Sequence, residues 1–288
     1  MALQASDAVV PGLGLPSLRS RLRGLDLWVP AAVLAAMAVA CFLVPLFGHV
    51  PGPNAGVLSQ TRLPPLSRGH LLGTDTLGND LLSRCLYGGQ VSIEVGLGSV
   101  ALGLMAGGVL GILAGYKGAI YDSSIMRLLD MILAFPPLVL ALAVASYLGP
   151  NEQDVIFAIA FFTTPATARL ARAQTLKLRE REFIVAAELA GHKAWYILRR
   201  HVVPNVAPSL LTFGLTLVAV AMIIEAALDF LGLGIRPPEP SWGSMIASGQ
   251  SYLSTSPWIV FVPTGFLFVT VTSLNLLGNA LRTRWARS

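Results

Sequence analysis

Apolar runs close to the length of a bilayer crossing recur along this chain, separated by polar stretches rich in Gly, Pro and charge. A hydrocarbon core of about 30 Å takes about 20 helical residues at about 1.5 Å of rise each. Six segments come near that length. They are Trp28 to Phe47, Val91 to Gly115, Ile125 to Leu148, Asp154 to Ala173, Val206 to Leu228 and Pro257 to Leu281. The first and last carry no charge. The second has Glu94 near its start, and the third holds Arg127 and Asp130, three apart on one helical face and able to pair. The fourth is short between Val155 and Ala168, so Arg169 and Arg172 are expected to snorkel to an interface. The pattern predicts an all-α membrane protein with six spans. Residues 1–26 form a tail, 48–90 and 235–256 form loops on one side, and 174–205 is the longest loop on the other.

Basic residues then orient the spans, because cytoplasmic flanks collect Lys and Arg. With both ends inside, that side holds Arg19, Arg21, Arg23, Lys117, Arg127, Arg169, Arg172, Lys177, Arg179, Arg181, Lys193, Arg199, Arg200, Arg282, Arg284 and Arg287. Only Arg62, Arg68, Arg84 and Arg236 stay outside. Both termini are therefore expected in the cytoplasm. Composition agrees: 54% of the 288 residues are apolar, 12% are charged and the mean hydropathy is +0.68, which excludes an ordinary soluble domain. The net charge of +5 is accounted for by the inner flanks and calls for no nucleic acid.

Arg19 to Arg23 before an apolar stretch resembles a secretory signal, but the stretch is too long and continues past Cys41, so it is expected to stay as the first span. The first 25 or so residues read as disordered. Cys41 lies at mid-span and Cys85 in an outer loop, which leaves two free thiols at different depths.

Arg179 to Asn205 stands out with eight charged residues and two histidines. Helix formers fill Glu182 to Ala190, Gly191 offers a break, a second helix resumes from His192, and Pro204 closes it. In the second arm Ala194, Ile197, Leu198 and Val202 share one face, so the hairpin is amphipathic. On these grounds it is either an interfacial helix on lipid headgroups or a docking site for a cytoplasmic partner.

The segment "AAELAGHKAWYILRRHVVPN" resembles the EAA loop of bacterial ABC importer permeases, in which a pair of small residues ends four positions before a Gly and a Pro follows thirteen later. Ala186, Ala187, Gly191 and Pro204 keep this spacing. Val185 stands where that motif has its leading Glu, with Glu182 and Glu188 nearby. Further blocks resemble the C-type permease subunits of dipeptide and oligopeptide importers: "HLLGTDTLGNDLLSRCLYGGQVSIEVG" from His70, "AGYKGAIYDSSIMRLLDMILAFPPLVLALAVASYLG" from Ala114, "ALDFLGLGIRPPEPSWGSMI" from Ala227 and "NLLGNALR" from Asn275. The departures are Asn79 and Gln90 for usual Arg, Asp229 for a usual Ser and Asn279 for a usual Asp.

The resemblance implies the type I ABC importer permease fold, with the transmembrane domain at about 90–281. It also implies an inner-membrane subunit that imports short peptides by alternating access. The implied partners are a second homologous permease, two ATP-binding cassette subunits, an extracytoplasmic substrate-binding protein and the bilayer. ATP and magnesium belong to the ATPase subunits, with no cofactor on this chain. Glu182, Ala186, Ala187, Glu188, Gly191 and Pro204 become the expected ATPase-coupling residues. Related permeases carry nickel complexes, glutathione or other small solutes.

The remaining features are read from the residues. Gly103, Gly107, Gly111 and Gly115 recur every four positions and make a groove for close helix packing. His70 to Arg84 reads as a structured outer loop; Asp75, Asn79 and Asp80 lack the spacing of a calcium loop. Glu225 and Asp229 share a face of the fifth span and are expected either to face water in an outer vestibule or to hold a hydrogen-bonded structural role. "PPEPSW", Pro237 to Trp242, reads as an outer turn with an interfacial Trp, serving as a gate, a binding-protein contact or a membrane anchor. There is no phosphate-binding Gly-Lys-Ser/Thr loop, no H-E-x-x-H pair, and the four histidines are scattered, so no catalytic site is expected. An ion-coupled secondary transporter is the competing class, but no half-to-half repeat is evident. A channel lacks a filter motif, and a passive scaffold leaves the vestibule charges unexplained.

Overall fold

The structure, a computed structural model, describes residues 18–48, 50–149 and 151–285, with side chains from 26 onward. The expected disorder of the tail falls largely on residues 1–17, outside the described residues; from Leu18 the chain is already helical. Among the described residues it is helical throughout apart from loops, with only isolated bridging pairs at Ser67–His70 and Thr74–Asp80. Helix α1 covers Leu18–Ala38 and runs on through a π turn at Val39–Leu43 into Val44–Leu46. It is followed by α2 (Leu81–Lys117), α3 (Ala119–Leu133), α4 (Pro137–Leu148), α5 (Glu152–Arg179) and α6 (Glu182–Leu189). Helix α7 is Ala194–Phe230, α8 is Trp242–Gly249 and α9 is Trp258–Trp285.

Among the described residues five helices are long and apolar enough to cross a membrane, α1, α2, α5, α7 and α9, and a bent pair, α3 with α4, makes up to six spans when taken as one. The expected third span from Ile125 to Leu148 is not one helix. It breaks into α3 and α4, which meet at 88°. The cause is Pro136 followed by Pro137: neither has an N–H, and a proline pushes the residue before it out of helical conformation. At 15 and 12 residues the halves reach roughly 22 and 18 Å, so neither crosses the hydrocarbon core alone.

Two other prolines act differently. The expected stop at Pro204 is absent, and the helix passes through it from Ala194 to Phe230. A π turn at Leu198–Val202 precedes it, and the Val203 N–H bonds the Leu198 carbonyl five residues back. The same device precedes Pro45, where the Val44 N–H bonds Val39. One widened turn takes the carbonyl that the proline ring would strike out of its path.

Span boundaries shift as well. Helix α2 begins ten positions before Val91, capped by Asp80, whose side chain accepts from the Ser83 N–H at 2.8 Å. Cys85 is therefore buried inside α2 and not in a loop. The loop before α2 is itself well ordered by polar contacts. Thr74 Oγ donates to the Gln60 carbonyl at 2.5 Å and accepts from the Leu63 N–H at 2.8 Å. Asn79 Nδ2 donates to Asp75 at 2.9 Å.

The centre of the molecule is the contact of α2 with α5. A Cβ added at Gly103 or Gly107 would strike Thr163 or the Thr164 carbonyl, and one at Gly111 the Ala168 carbonyl. At Gly115 it would lie 2.8 Å from Thr175 Cβ. The stripe thus seats α2 against Thr163, Thr167, Ala168, Ala171 and Thr175, all buried. Lipid tails are as apolar as Leu, so the helices associate through such close backbone approach and not through water exclusion. Helix α7 packs beside this pair, with α8 and α9 outside it and α1 against α9.

Replacing Gly107 by Val is expected to destabilise the detergent-purified protein by about 1–3 kcal/mol, the usual range for overpacking. Gly265→Ala, where the added methyl meets nothing within 4 Å, should leave the thermal midpoint unchanged or slightly higher. Equal midpoints for both variants would mean the stripe does not set the α2–α5 distance.

Candidate functional site

The segment between α5 and α7 forms a compact projecting unit. Helix α6 ends in a Schellman turn: the Gly191 N–H bonds the Glu188 carbonyl at 3.0 Å and the His192 N–H bonds the Ala187 carbonyl at 3.2 Å. Gly191 supplies the required left-handed backbone with φ of +79°. Ile184 and Ala187 point into a small core with Ile197, Leu198, Val202 and Val206. Tyr116 Oη, from the end of α2, donates to Glu188 Oε1 at 3.1 Å and pins α6 to the bundle.

The two small residues of the motif therefore part company. Ala187 is buried against the bundle, whereas Ala186 is exposed beside Phe183, Val185 and Leu189, the last 84% exposed. Glu182 lines a groove of about 620 Å³ with Leu178, Arg181, Phe183 and Asn205. Trp195, 72% exposed, and Tyr196, stacked on His192 at 4.5 Å, extend the same uncovered surface onto α7. Pro204 lies inside α7 near this surface, not at a helix end.

Charges within the bundle find partners that spacing alone missed. Asp130 pairs with Arg169 across α3 and α5 at 2.6 Å and not with Arg127 on its own helix. Arg172 forks onto both oxygens of Asp122, its Nη2 donating to Oδ2 at 2.6 Å. Both arginines, expected to reach an interface, are paired with α3 carboxylates. The rest of the groove they line holds Ser123, Met126 and Arg127.

At the far end, Glu225 is fully buried and Asp229 nearly so, which corrects the outer-vestibule expectation and leaves the hydrogen-bonded role. Ser92 of α2 donates to Glu225 at 3.3 Å and accepts from the Trp242 N–H at 3.2 Å. Asp229 Oδ1 accepts from the Ile235 N–H at 2.5 Å, and its Oδ2 accepts from the Ser241 hydroxyl. Ser241 also caps α8 in a reciprocal box with Ser244. Trp242, expected at an interface, is instead buried, and its indole N–H donates to the Cys85 carbonyl at 2.9 Å. The carboxylates thus fasten α8 and its preceding turn across α7 and α2. Ser92 and Ser241 had no signal in the sequence, since hydroxyls on helices are common and their partners lie 133 and 12 residues away. Among the described residues no cluster of His, Cys, Asp or Glu could hold a metal ion.

A bundle of long apolar helices with a capped helical unit at one end and a buried polar fastening at the other defines a polytopic integral membrane protein. Comparisons make this specific. Residues 107–287 match the family model described as binding-protein-dependent transport system inner membrane component. The chain is 41% identical over 216 residues to a glutathione transport system permease protein of Pectobacterium atrosepticum, covering 75% of this chain and 72% of that one. It is 38% identical over 223 residues to a dipeptide transport system permease protein of Alkalihalophilus pseudofirmus, covering 77% and 73%. Its fold matches a chain of the inward-facing MetNI methionine ABC transporter with a TM-score of 0.57 at 16% identity, over 70% of this chain and 94% of that one. The chain belongs to the binding-protein-dependent transport system inner membrane components: it is a permease subunit of an ABC importer, located in the inner membrane.

Asp229→Ala should leave the buried Ile235 N–H without an acceptor and lower stability by about 1–3 kcal/mol, read as a fall in the thermal midpoint in detergent. Arg172→Asp should likewise lower the midpoint by setting two carboxylates together, and adding Asp122→Arg should restore most of it. A double variant no better than the single one would remove the ion pair from the account of how α3 is held.

Proposed function

We propose that this permease imports short peptides, glutathione among them, as one half of a translocation pathway whose other half is a homologous permease. Two ATP-binding cassette subunits serve the permease pair, one of them docking on the α6 unit of this chain, and an extracytoplasmic binding protein delivers cargo at the opposite end. ATP and magnesium act on the ATPase subunits. Both termini and α6 lie in the cytoplasm, as the sixteen-to-four division of basic residues favours. Nucleotide-driven closure of the ATPases moves α6, and the attached α5 and α7 rock the spans between inward-open and outward-open states.

The observation that carries this reading is the uncovered face of α6 and the start of α7. Phe183, Val185, Ala186 and Leu189 stand exposed on α6, whose end is capped at Gly191, and Trp195 stands exposed at the start of α7. A small residue at 186 lets a partner surface approach closely, and large apolar neighbours supply contact area. Glu182, Glu188, Gly191 and Pro204 shape and hold this unit, while Ala187 supports it from below. The short-peptide reading draws on the relatives whose names specify dipeptides and glutathione.

The test is co-purification of the complex with Ala186→Arg and Leu189→Glu, alongside ATP-dependent dipeptide uptake with glutathione as competitor. Wild type should carry ATPase subunits and accumulate dipeptide, and both variants should lose the ATPases at unchanged membrane levels, with uptake down at least tenfold. Variants that keep both ATPases and uptake would remove α6 as the docking site. Uptake that follows an ion gradient and ignores ATP would restore the secondary-transporter reading.

A further inference from the structure

A groove of about 590 Å³ lies between α5, α7 and α9, at the end of the bundle that carries α6. Its polar lining comes from Gln174 of α5, Ser209, Thr212 and Thr216 of α7, and Asn279 and Arg282 of α9; Leu170, Phe213 and Trp285 complete it. Gly278 forms the floor, since a Cβ there would sit 3.2 Å from Thr216 Oγ and hold the helices apart.

Polar side chains in a membrane helix normally spend their donors on their own backbone, as Thr163, Thr164, Thr167, Thr175, Thr264 and Thr270 do here by donating to carbonyls three or four residues earlier. In the groove Thr212 does the same, donating to the Pro208 or Ser209 carbonyl. Gln174, Ser209, Thr216, Asn279 and Arg282, by contrast, make no side-chain hydrogen bond or ion pair among the described residues. Unspent donors from three helices converge on one cavity. The lining includes one guanidinium and no carboxylate, Asn279 being neutral.

We infer that this groove binds the headgroup of an anionic phospholipid, with the phosphodiester on Arg282 and the amide and hydroxyl donors, and an acyl chain along Leu170 and Phe213. The donor set decides the class. A phosphodiester offers several acceptor oxygens and one negative charge, matching many donors and one guanidinium. A free peptide would bring an ammonium as well, and no acidic side chain lines the groove to meet it. Depth agrees, because Arg282, Arg284 and Trp285 in the last turns of α9 are residues that favour the membrane–water boundary. Basic pockets between helices at such a boundary suit acidic headgroups. The inference stands apart from the peptide reading, since no cargo enters its test.

The full-length chain, purified with the subunits it carries, is placed in nanodiscs of phosphatidylcholine with or without phosphatidylglycerol. Thermal midpoint and phosphatidylglycerol retained after detergent washing are measured. Phosphatidylglycerol should raise the wild-type midpoint, and Arg282→Gln should retain about five-fold less of it, the factor for one lost cationic contact. Thr216→Val, which removes a donor at nearly constant volume, should also retain less, while Arg284→Gln, outside the groove, should behave as wild type. Equal retention by Arg282→Gln and wild type, or an equal loss in Arg284→Gln, would overturn the assignment. So would displacement of the bound lipid by soluble glycerol phosphate or by a dipeptide, each marking a site for a soluble ligand instead.

Discussion

The close approach of α2 to α5 is the contact from which the other helices take their places. Within lipid no water is expelled when two apolar helices meet, so attraction depends on how near the backbones come. Gly103, Gly107, Gly111 and Gly115 remove four side chains from one face of α2, and buried Thr and Ala residues of α5 fill the space. Helix α7 then has two neighbours at once, with Gly96 admitting Met222 and Gly108 meeting Leu210. That arrangement leaves both ends of α7 anchored to α2: through Ser92 and Glu225 at one end, and near the other through Ile112 and Tyr116 of α2, which pack against the cluster of Ile197, Val206 and Ile184.

Prolines divide this rigid frame from its adaptable parts. Pro136 and Pro137 turn the third candidate span through 88°, and the broken pair is tied to α5 by Asp122–Arg172 and Asp130–Arg169. Pro204 sits after a π turn that leaves α7 continuous from the exposed unit into the bundle. A continuous helix can carry a displacement of α6 along its length, which is what the proposed coupling requires. The polar groove between α5, α7 and α9 opens at the same end, so its occupant would bear on the helices that transmit the motion.

Much of the architecture was legible along the chain. Apolar runs announced the long helices, because lipid forces backbone groups to bond within a helix and exposes nothing but apolar side chains. The four-residue glycine repeat marked the packing face of α2, since small residues at that period have one strong use in a membrane. Gly191 marked the end of α6, where a left-handed residue is required. Other features resisted reading for equally physical reasons. Arg127 and Asp130 are correctly spaced to pair, yet Arg169 reaches Asp130 from another helix, and spacing on one helix is blind to that. Trp242 has the composition of an interfacial anchor but is enclosed by α2 and α9, and Ala186 and Ala187 differ in role only because the bundle lies on one side of α6.

What the sequence determined by itself is a helical membrane subunit with a projecting amphipathic segment and a resemblance strong enough to name its family. Hydrophobic length, proline and glycine act locally or along one helix, so their consequences are written in order along the chain. Tertiary structure alone decided which polar groups meet: Glu225 with Ser92, Asp229 with Ser241 and Ile235, Arg172 with Asp122, and the unspent donors gathered around Arg282. Hydrogen bonds and ion pairs act over about 3 Å. Which residues come that close depends on how whole helices lie against one another.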